Sequence, residues 1–349
     1  MKKQEKDGKK LRAGVIAGAA LVPVAGGLMK FKNAVKSIYY TNVTERAALP
    51  REDEWTGGKT YLRVPYAGTS DSQYLDLYVP DTGGEAPQLF VLVHGGGFVA
   101  GDAQSRQARL MYRYFRDRGF ACASVHYRLA TEAGFPAAVC DVKAAVRFLR
   151  AHAGAYGYSA GKVFIWGESA GGYLAMMCAL TGDAFCDLPF TGQEETGDVS
   201  ARVDAVVDHY GLMDERSIPE QWKGLGIPSA VSRVAGLWAS KLTKEYESIT
   251  SYFLRKNVSE MTEAEYRAAF PAGYFERAGE TPLDVFILHG DCDVLVPYLQ
   301  SLDAYDRLKQ ALGEEHVELR LVPHAGHAAD MLYDPTILAE VEAFLRARL

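Results

Sequence analysis

Two glycine-rich segments hold the residues best suited to chemistry. Gly167-Glu168-Ser169-Ala170-Gly171-Gly172 follows an apolar stretch ending at Trp166 and opens a run of small and apolar residues. A serine on a tight strand-to-helix turn exposes its hydroxyl, and glycine on either side lets neighbouring backbones pass closely. The alternative for Ser169 is an ordinary helix N-cap, but the strand-turn-helix setting favours a nucleophile. The second segment, His94-Gly95-Gly96-Gly97-Phe98, follows the apolar run Leu89 to Val93. Consecutive glycines present backbone N–H groups to a developing oxyanion without side-chain obstruction, which is what acyl transfer requires. The alternative is a plain flexible turn, yet both segments stand at strand ends of one sheet, where α/β folds bind ligands.

The surrounding pattern supplies such a sheet. From about residue 60, short β-branched runs alternate with helix-period stretches, the signature of a mostly parallel sheet covered by helices. Strands are expected at Tyr61 to Val64, Tyr74 to Val79, Leu89 to Val93, Ala121 to Val125, Val163 to Trp166, Val203 to Val207, Val285 to Leu288 and Val317 to Val322. Helices are expected at Ala103 to Arg118, Pro136 to His152, Ala170 to Leu180, Leu299 to Ala311 and Pro335 to Leu349. The interval after Val207 is too long for a crossover of about 30 residues. A helical insertion is expected over residues 214–270, with helices at Ser240 to Ser251 and Thr262 to Ala269, the latter opened by a Thr262/Glu265 capping box. Leaving the end of a strand, it suits a mobile cap over the site. Trp222, Leu225, Ile227, Trp238, Tyr246, Tyr252 and Phe253 would form either a substrate wall or the insertion's own core.

Taken together, the chain resembles an α/β-hydrolase of the esterase/lipase type over residues 55–349, similar to the hormone-sensitive-lipase and feruloyl-esterase-like branches. Beside the two glycine motifs, Tyr74-Leu75-Asp76-Leu77-Tyr78-Val79-Pro80 resembles a strand of that branch. Tyr127-Arg128-Leu129-Ala130 with Phe135-Pro136-Ala137-Ala138 resembles the segment before its helix, although His126 and Thr131 stand where aspartate and proline are common. The resemblance implies a triad in chain order Ser, Asp, His. In His289-Gly290-Asp291-Cys292-Asp293-Val294-Leu295-Val296-Pro297 it puts the acid at Asp293, with Asp291 as a nearby decoy. In His324-Ala325-Gly326-His327 it puts the base at His327, with His324 as the decoy. It assigns the oxyanion hole to the backbone N–H groups of Gly96, Gly97 and Ala170. A serine hydroxyl is a poor nucleophile until an imidazole accepts its proton, and the imidazole needs a carboxylate to fix its tautomer. The expected activity is hydrolysis of small or medium carboxylic esters through an acyl-enzyme. The alternatives are an amide-directed hydrolase or lyase on the same scaffold, or a non-catalytic binding protein.

Glu168 is read as an acid on the first turn of a helix, and Asp208-His209-Tyr210 as a strand end that could line the pocket, with a structural role favoured. No H-E-x-x-H, EF-hand loop or G-x-G-x-x-G occurs, so no cofactor and no metal are implied. The 349 residues are 48% hydrophobic and 23% charged, enough for a large core. A net charge of −6 lacks the basic excess that nucleic-acid binding requires. The five cysteines are read as buried free thiols. Residues 1–12 carry a local charge of +4, and the uncharged run Ala13 to Met29 follows. A basic region before an apolar one is the grammar of an export signal or an uncleaved anchor. The expected organisation is therefore a signal/anchor segment at 1–37, with membrane association through residues 11–29 and the catalytic part outside. Hydrolase core at 38–213, the cap at 214–270 and further core at 271–349 complete it. A cytoplasmic protein with an N-terminal helix is the alternative for that segment.

Overall fold

A computed structural model describes residues 55–184, 186, 198–227 and 245–349. The expected signal/anchor segment, Trp238 and the first part of the expected Ser240 to Ser251 helix lie outside these residues, and the described remainder of that helix begins only at Ile249. Among the described residues, no helix is long and apolar enough to cross a membrane.

Eight strands form one sheet: β1 (Gly58–Pro65), β2 (Tyr74–Pro80), β3 (Gln88–Val93), β4 (Phe120–Val125), β5 (Ser159–Glu168), β6 (Ala205–His209), β7 (Asp284–Gly290) and β8 (Val317–Val322). Their order is β1-β2-β4-β3-β5-β6-β7-β8. β2 runs antiparallel to both of its neighbours, and every pairing from β4 to β8 is parallel. The middles of the central strands, such as Leu89–Val93 of β3 and Val163–Trp166 of β5, are continuously apolar because helices cover both faces. Along β3, Leu89, Val91 and Val93 join one core while Phe90 and Leu92 join the other, as the twofold pleat dictates.

Helices α1 (Arg106–Arg116) and α8 (Pro335–Arg346) cover the second of these faces through Met111, Tyr112, Phe115, Leu338 and Phe344. Helices α2 (Ala137–Tyr156), α3 (Ala170–Thr181) and α7 (Leu299–Leu312) cover the first. Ser105 caps α1 by accepting the Ala108 N–H, and Pro335 opens α8 where its missing N–H costs nothing. Every expected strand and core helix is present, with ends displaced by a few residues.

The described part of the insertion comprises α4 (Ile218–Gly224), α5 (Ile249–Leu254) and α6 (Glu263–Ala269). The Thr262/Glu265 capping box is formed at α6. Its two ends meet: Ala272 N–H donates to the Met213 carbonyl at 3.2 Å. Buried Gln300 of α7 accepts the N–H groups of Met213 and Asp214, and its amide nitrogen reaches the Asp214 carbonyl, Ser217 Oγ and Gln221 Oε1. The described insertion is docked on the core rather than standing off it. Phe253 is fully buried and stacks on Phe98, with centroids 4.1 Å apart and planes 7° apart. Phe135 N–H donates to the Phe253 carbonyl at 2.7 Å. Its partners belong to the hydrolase core, so Phe253 anchors the insertion there rather than filling a core of the insertion's own.

Two of the five cysteines are not free thiols: Cys140 of α2 and Cys186 form a disulfide across 46 residues. Helix α2 and the chain after α3 bring the two Cα atoms to 5.2 Å, inside the range a disulfide needs. Cys122, Cys178 and Cys292 stand outside this bond and are buried.

Candidate active site

Ser169 sits between the last residue of β5 and the first of α3, with φ 51° and ψ −116°. A β-to-α change with no intervening loop forces this left-handed conformation, which a non-glycine residue adopts only when its surroundings hold it there. The flanking glycines are required by space. A Cβ on Gly167 would lie 1.9 Å from the Gly171 carbonyl oxygen, and one on Gly171 would lie 2.1 Å from that of Val93. The glycine loop after β3 abuts the same turn, since a Cβ on Gly95 would come within 3.3 Å of the Ser169 Cβ. Gly96 has φ +119°, where a side chain would also strike the Ala100 carbonyl. Of the expected oxyanion donors, Ala170 follows Ser169 directly, and Gly96 and Gly97 follow Gly95, the glycine that abuts the serine turn.

The loops after β7 and β8 bring Asp293 and His327 to it. His327 Nε2 lies 2.9 Å from Ser169 Oγ, and His327 Nδ1 lies 2.6 Å from Asp293 Oδ2. This geometry fits the tautomer that donates from Nδ1 to the carboxylate and accepts the serine proton at Nε2. Burial alone would raise the Asp293 carboxyl, but the charge of His327 and hydrogen bonds from His289 and His327 outweigh it and hold the group well below the ordinary carboxylate range. The second oxygen, Oδ1, accepts the N–H groups of Leu295 at 2.9 Å and Val296 at 3.0 Å. Asp291 and His324 take no part in this chain of contacts; Asp291 Oδ1 instead accepts the His324 N–H at 2.6 Å.

Two neighbours adjoin the pair, of which His289 has no role in the sequence reading. His289 is buried, with Nε2 3.1 Å from Asp293 Oδ2 and 2.9 Å from the Val296 carbonyl, and Nδ1 2.7 Å from Ser301 Oγ. Both Nε2 contacts are acceptors, so His289 donates there and fixes the acid from behind. It stood inside the quoted His289-to-Pro297 motif, but its partners could be known only from the fold. Tyr210 presses its ring against that of His327 at 4.7 Å.

Glu168 corrects the first-turn reading. It ends β5, and its carboxyl is buried rather than facing the helix dipole. Tyr333 Oη donates to it at 2.5 Å and is itself bonded to Tyr210 Oη. Burial pushes Glu168 up to about 8, with the tyrosine hydrogen bonds opposing that rise. Asp208 and His209 are buried strand-end residues, Asp208 accepting the Gly211 N–H at 3.0 Å and His209 meeting the Trp166 indole at 3.3 Å.

The insertion reaches this site. A Cβ on Gly97 would lie 3.7 Å from Ile249 Cγ2, so α5 lies over the glycine loop. Trp222 Nε1 donates to the Val294 carbonyl at 3.0 Å, one residue beyond Asp293. Ile249 was absent from the expected wall, although it lies within the expected Ser240 to Ser251 helix.

The BD-FAE family model matches residues 75–308. The chain is 28% identical over 272 residues to the probable carboxylic ester hydrolase LipM of Mycobacterium tuberculosis (strain ATCC 25618 / H37Rv), covering 77% of this chain and 56% of that protein. It is 25% identical over 271 residues to esterase LipC of the same organism, covering 77% and 60%. The chain therefore spans less than two thirds of the length of these curated relatives. Among solved structures, a truncated form of a carbohydrate esterase from gut microbiota matches with a TM-score of 0.69 at 24% identity, covering 86% of this chain and 98% of that one. Propionate-bound Est2, an esterase of Thermogutta terrifontis, matches with a TM-score of 0.60 at 22% identity, covering 84% and 95%. Both likenesses speak to the fold, an α/β-hydrolase. With its sheet order, its glycine turns and its matched span in agreement, this chain belongs to the BD-FAE family.

Proposed function

We infer that this chain hydrolyses small or medium carboxylic esters through a serine acyl-enzyme. The observation that carries the reading is the unbroken hydrogen-bonded line from Ser169 Oγ through His327 to Asp293, at 2.9 and 2.6 Å. Ser169 Oγ attacks the ester carbonyl as His327 Nε2 takes its proton. Asp293, held ionised by its partners, stabilises the imidazolium without itself becoming protonated. The carbonyl oxygen becomes an oxyanion that accepts from the N–H groups of Gly96, Gly97 and Ala170; Ala170, at a helix N-terminus, adds the favourable end of the dipole. The alcohol leaves with the proton from His327. Water then repeats the sequence on the acyl-serine and releases the acid. The relatives LipM and LipC, by name a probable carboxylic ester hydrolase and an esterase, agree with this chemistry.

Export or membrane anchoring, with the catalytic part outside the cytoplasm, belongs to the same proposal. It is supported by the basic then uncharged N-terminal run and by the Cys140–Cys186 disulfide, a bond that persists in oxidising compartments. Turnover of p-nitrophenyl acetate by the pure protein, set beside Ser169→Ala, tests the activity. Equal turnover by the two would remove the acyl-enzyme, and absence from both membrane and exported fractions would remove the placement.

A further inference from the structure

Three side chains beside the triad are left without a role in it: Asp291, Cys292 and His324. Asp291 and Cys292 follow β7 directly, and His324 lies two residues beyond β8. Because β7 and β8 pair in parallel with Gly290 opposite Val322, the residues past their ends emerge side by side. Asp291 N–H donates to the Val322 carbonyl at 3.1 Å, and Cys292 N–H to the Ala325 carbonyl at 2.9 Å, lacing the two loops together. One carboxylate oxygen of Asp291, Sγ of Cys292 and one ring nitrogen of His324 all lie within 4.8 Å of one another.

We propose that these three residues form a binding site for a zinc-class divalent cation, bridging the loops that carry Asp293 and His327. The donor set decides the class. Calcium and magnesium want oxygen throughout, whereas thiolate with imidazole and one carboxylate suits zinc. Ligand bonds of about 2.0 to 2.3 Å in a tetrahedron set donor atoms roughly 3.3 to 3.8 Å apart, so closure needs shifts on the order of one ångström. The exposed His324 can supply most of that by rotating, and the gradient from buried Cys292 through half-buried Asp291 to exposed His324 leaves an entry path from solvent. Three protein ligands leave the fourth position to water. The thiol releases its proton to solvent on ligation. Motif reading passes over such a site because its ligands come from two loops about 30 residues apart, with none of the local spacings of a zinc motif. The proposal is independent of the esterase reading.

The test uses the full, untagged, disulfide-intact chain without thiol reductant. Cobalt(II) is titrated in first, and zinc binding is then measured by equilibrium dialysis. The expected result is a thiolate-to-cobalt charge-transfer band saturating at one equivalent, together with a zinc-dependent rise in melting temperature that a chelator reverses. His324→Ala, a surface change that leaves the core intact, should weaken zinc binding by at least about tenfold, since even outer-shell changes to metal sites cost about 10- to 100-fold. Asp291→Asn should weaken it likewise, and His316→Ala should not. Cys292→Ser should remove the band, with its melting curve read alongside to verify folding. No charge-transfer band, or a band and a zinc affinity that survive His324→Ala unchanged, would overturn the proposal.

Discussion

Replacing Phe253 by alanine separates an anchor from a substrate wall. Its ring is fully buried, stacked on Phe98 and met edge-on by Tyr173 at 5.8 Å and Phe135 at 5.9 Å. Truncating a buried phenylalanine costs about 3 to 5 kcal/mol. At roughly 2.1 cal/mol/K of unfolding entropy per residue, a chain of this size should lose about 4 to 7 °C in melting temperature. The loss also reaches the site, because Phe98 follows directly on Gly97 in the glycine loop. Turnover should therefore fall for every ester alike. The assay is kcat/KM for acetyl, butyryl and octanoyl p-nitrophenyl esters, with melting curves on the same preparations. A changed ratio between short and long chains at an unchanged melting temperature would refute the anchor, since each methylene in an apolar specificity pocket is worth about 1 to 3 kcal/mol of discrimination.

Ser169→Ala and His327→Ala should each remove up to about 10⁶-fold of turnover, and Asp293→Asn roughly 10⁴-fold, while Asp291→Asn leaves most of it; a damaging Asp291→Asn beside a silent Asp293→Asn would reverse the acid assignment. Glu168 titrates from an ordinary 4.5 to about 8 in the fold, so its neutral form favours folding: that contribution is complete below about pH 4.5 and is lost as pH rises through about 8. Melting curves across that window should fall less steeply for Glu168→Gln than for the parent, and parallel curves would exclude Glu168 as the source. Cys140→Ser with Cys186→Ser should destabilise the chain by about 2 to 5 kcal/mol, as expected for a bond closing 46 residues. This is read from denaturant midpoints in oxidised and reduced samples, and identical midpoints would show that the bond contributes nothing.

The strands were legible because the sheet imposes a pattern on consecutive residues, and the glycine turns because steric demands at Gly96 and Gly171 admit no other residue type. Asp293 and His327 were legible only through resemblance: each has a decoy two or three residues away, and local sequence does not say which one the loop turns inward. What escaped depends on partners far along the chain. Glu168 meets Tyr333 across 165 residues, and Cys140 meets Cys186 through the relative placement of α2 and the chain after α3. For Tyr210 the sequence leaves pocket lining open beside a structural role, because nothing nearby announces that its ring will face His327. The role of Phe253 was open for the same reason, since an aromatic in an insertion reads identically whether it faces a substrate or Phe98.

The insertion leaves and re-enters the core at one point, where Met213 meets Ala272 and Gln300 grips the outgoing strand of chain. A segment joined in this way behaves as a cassette. Its length can change with little penalty, because each doubling of a closed loop costs only about 0.6 kcal/mol in chain entropy. Ser169, Asp293 and His327 all lie outside residues 214–270. Related chains can therefore exchange the piece that overhangs Gly97 and yet keep the reacting groups in register. For exchanging that piece between such chains, the sutures belong after Gln221 and between Ile249 and Phe253, outside the Gln300 clamp and before the Phe253 anchor.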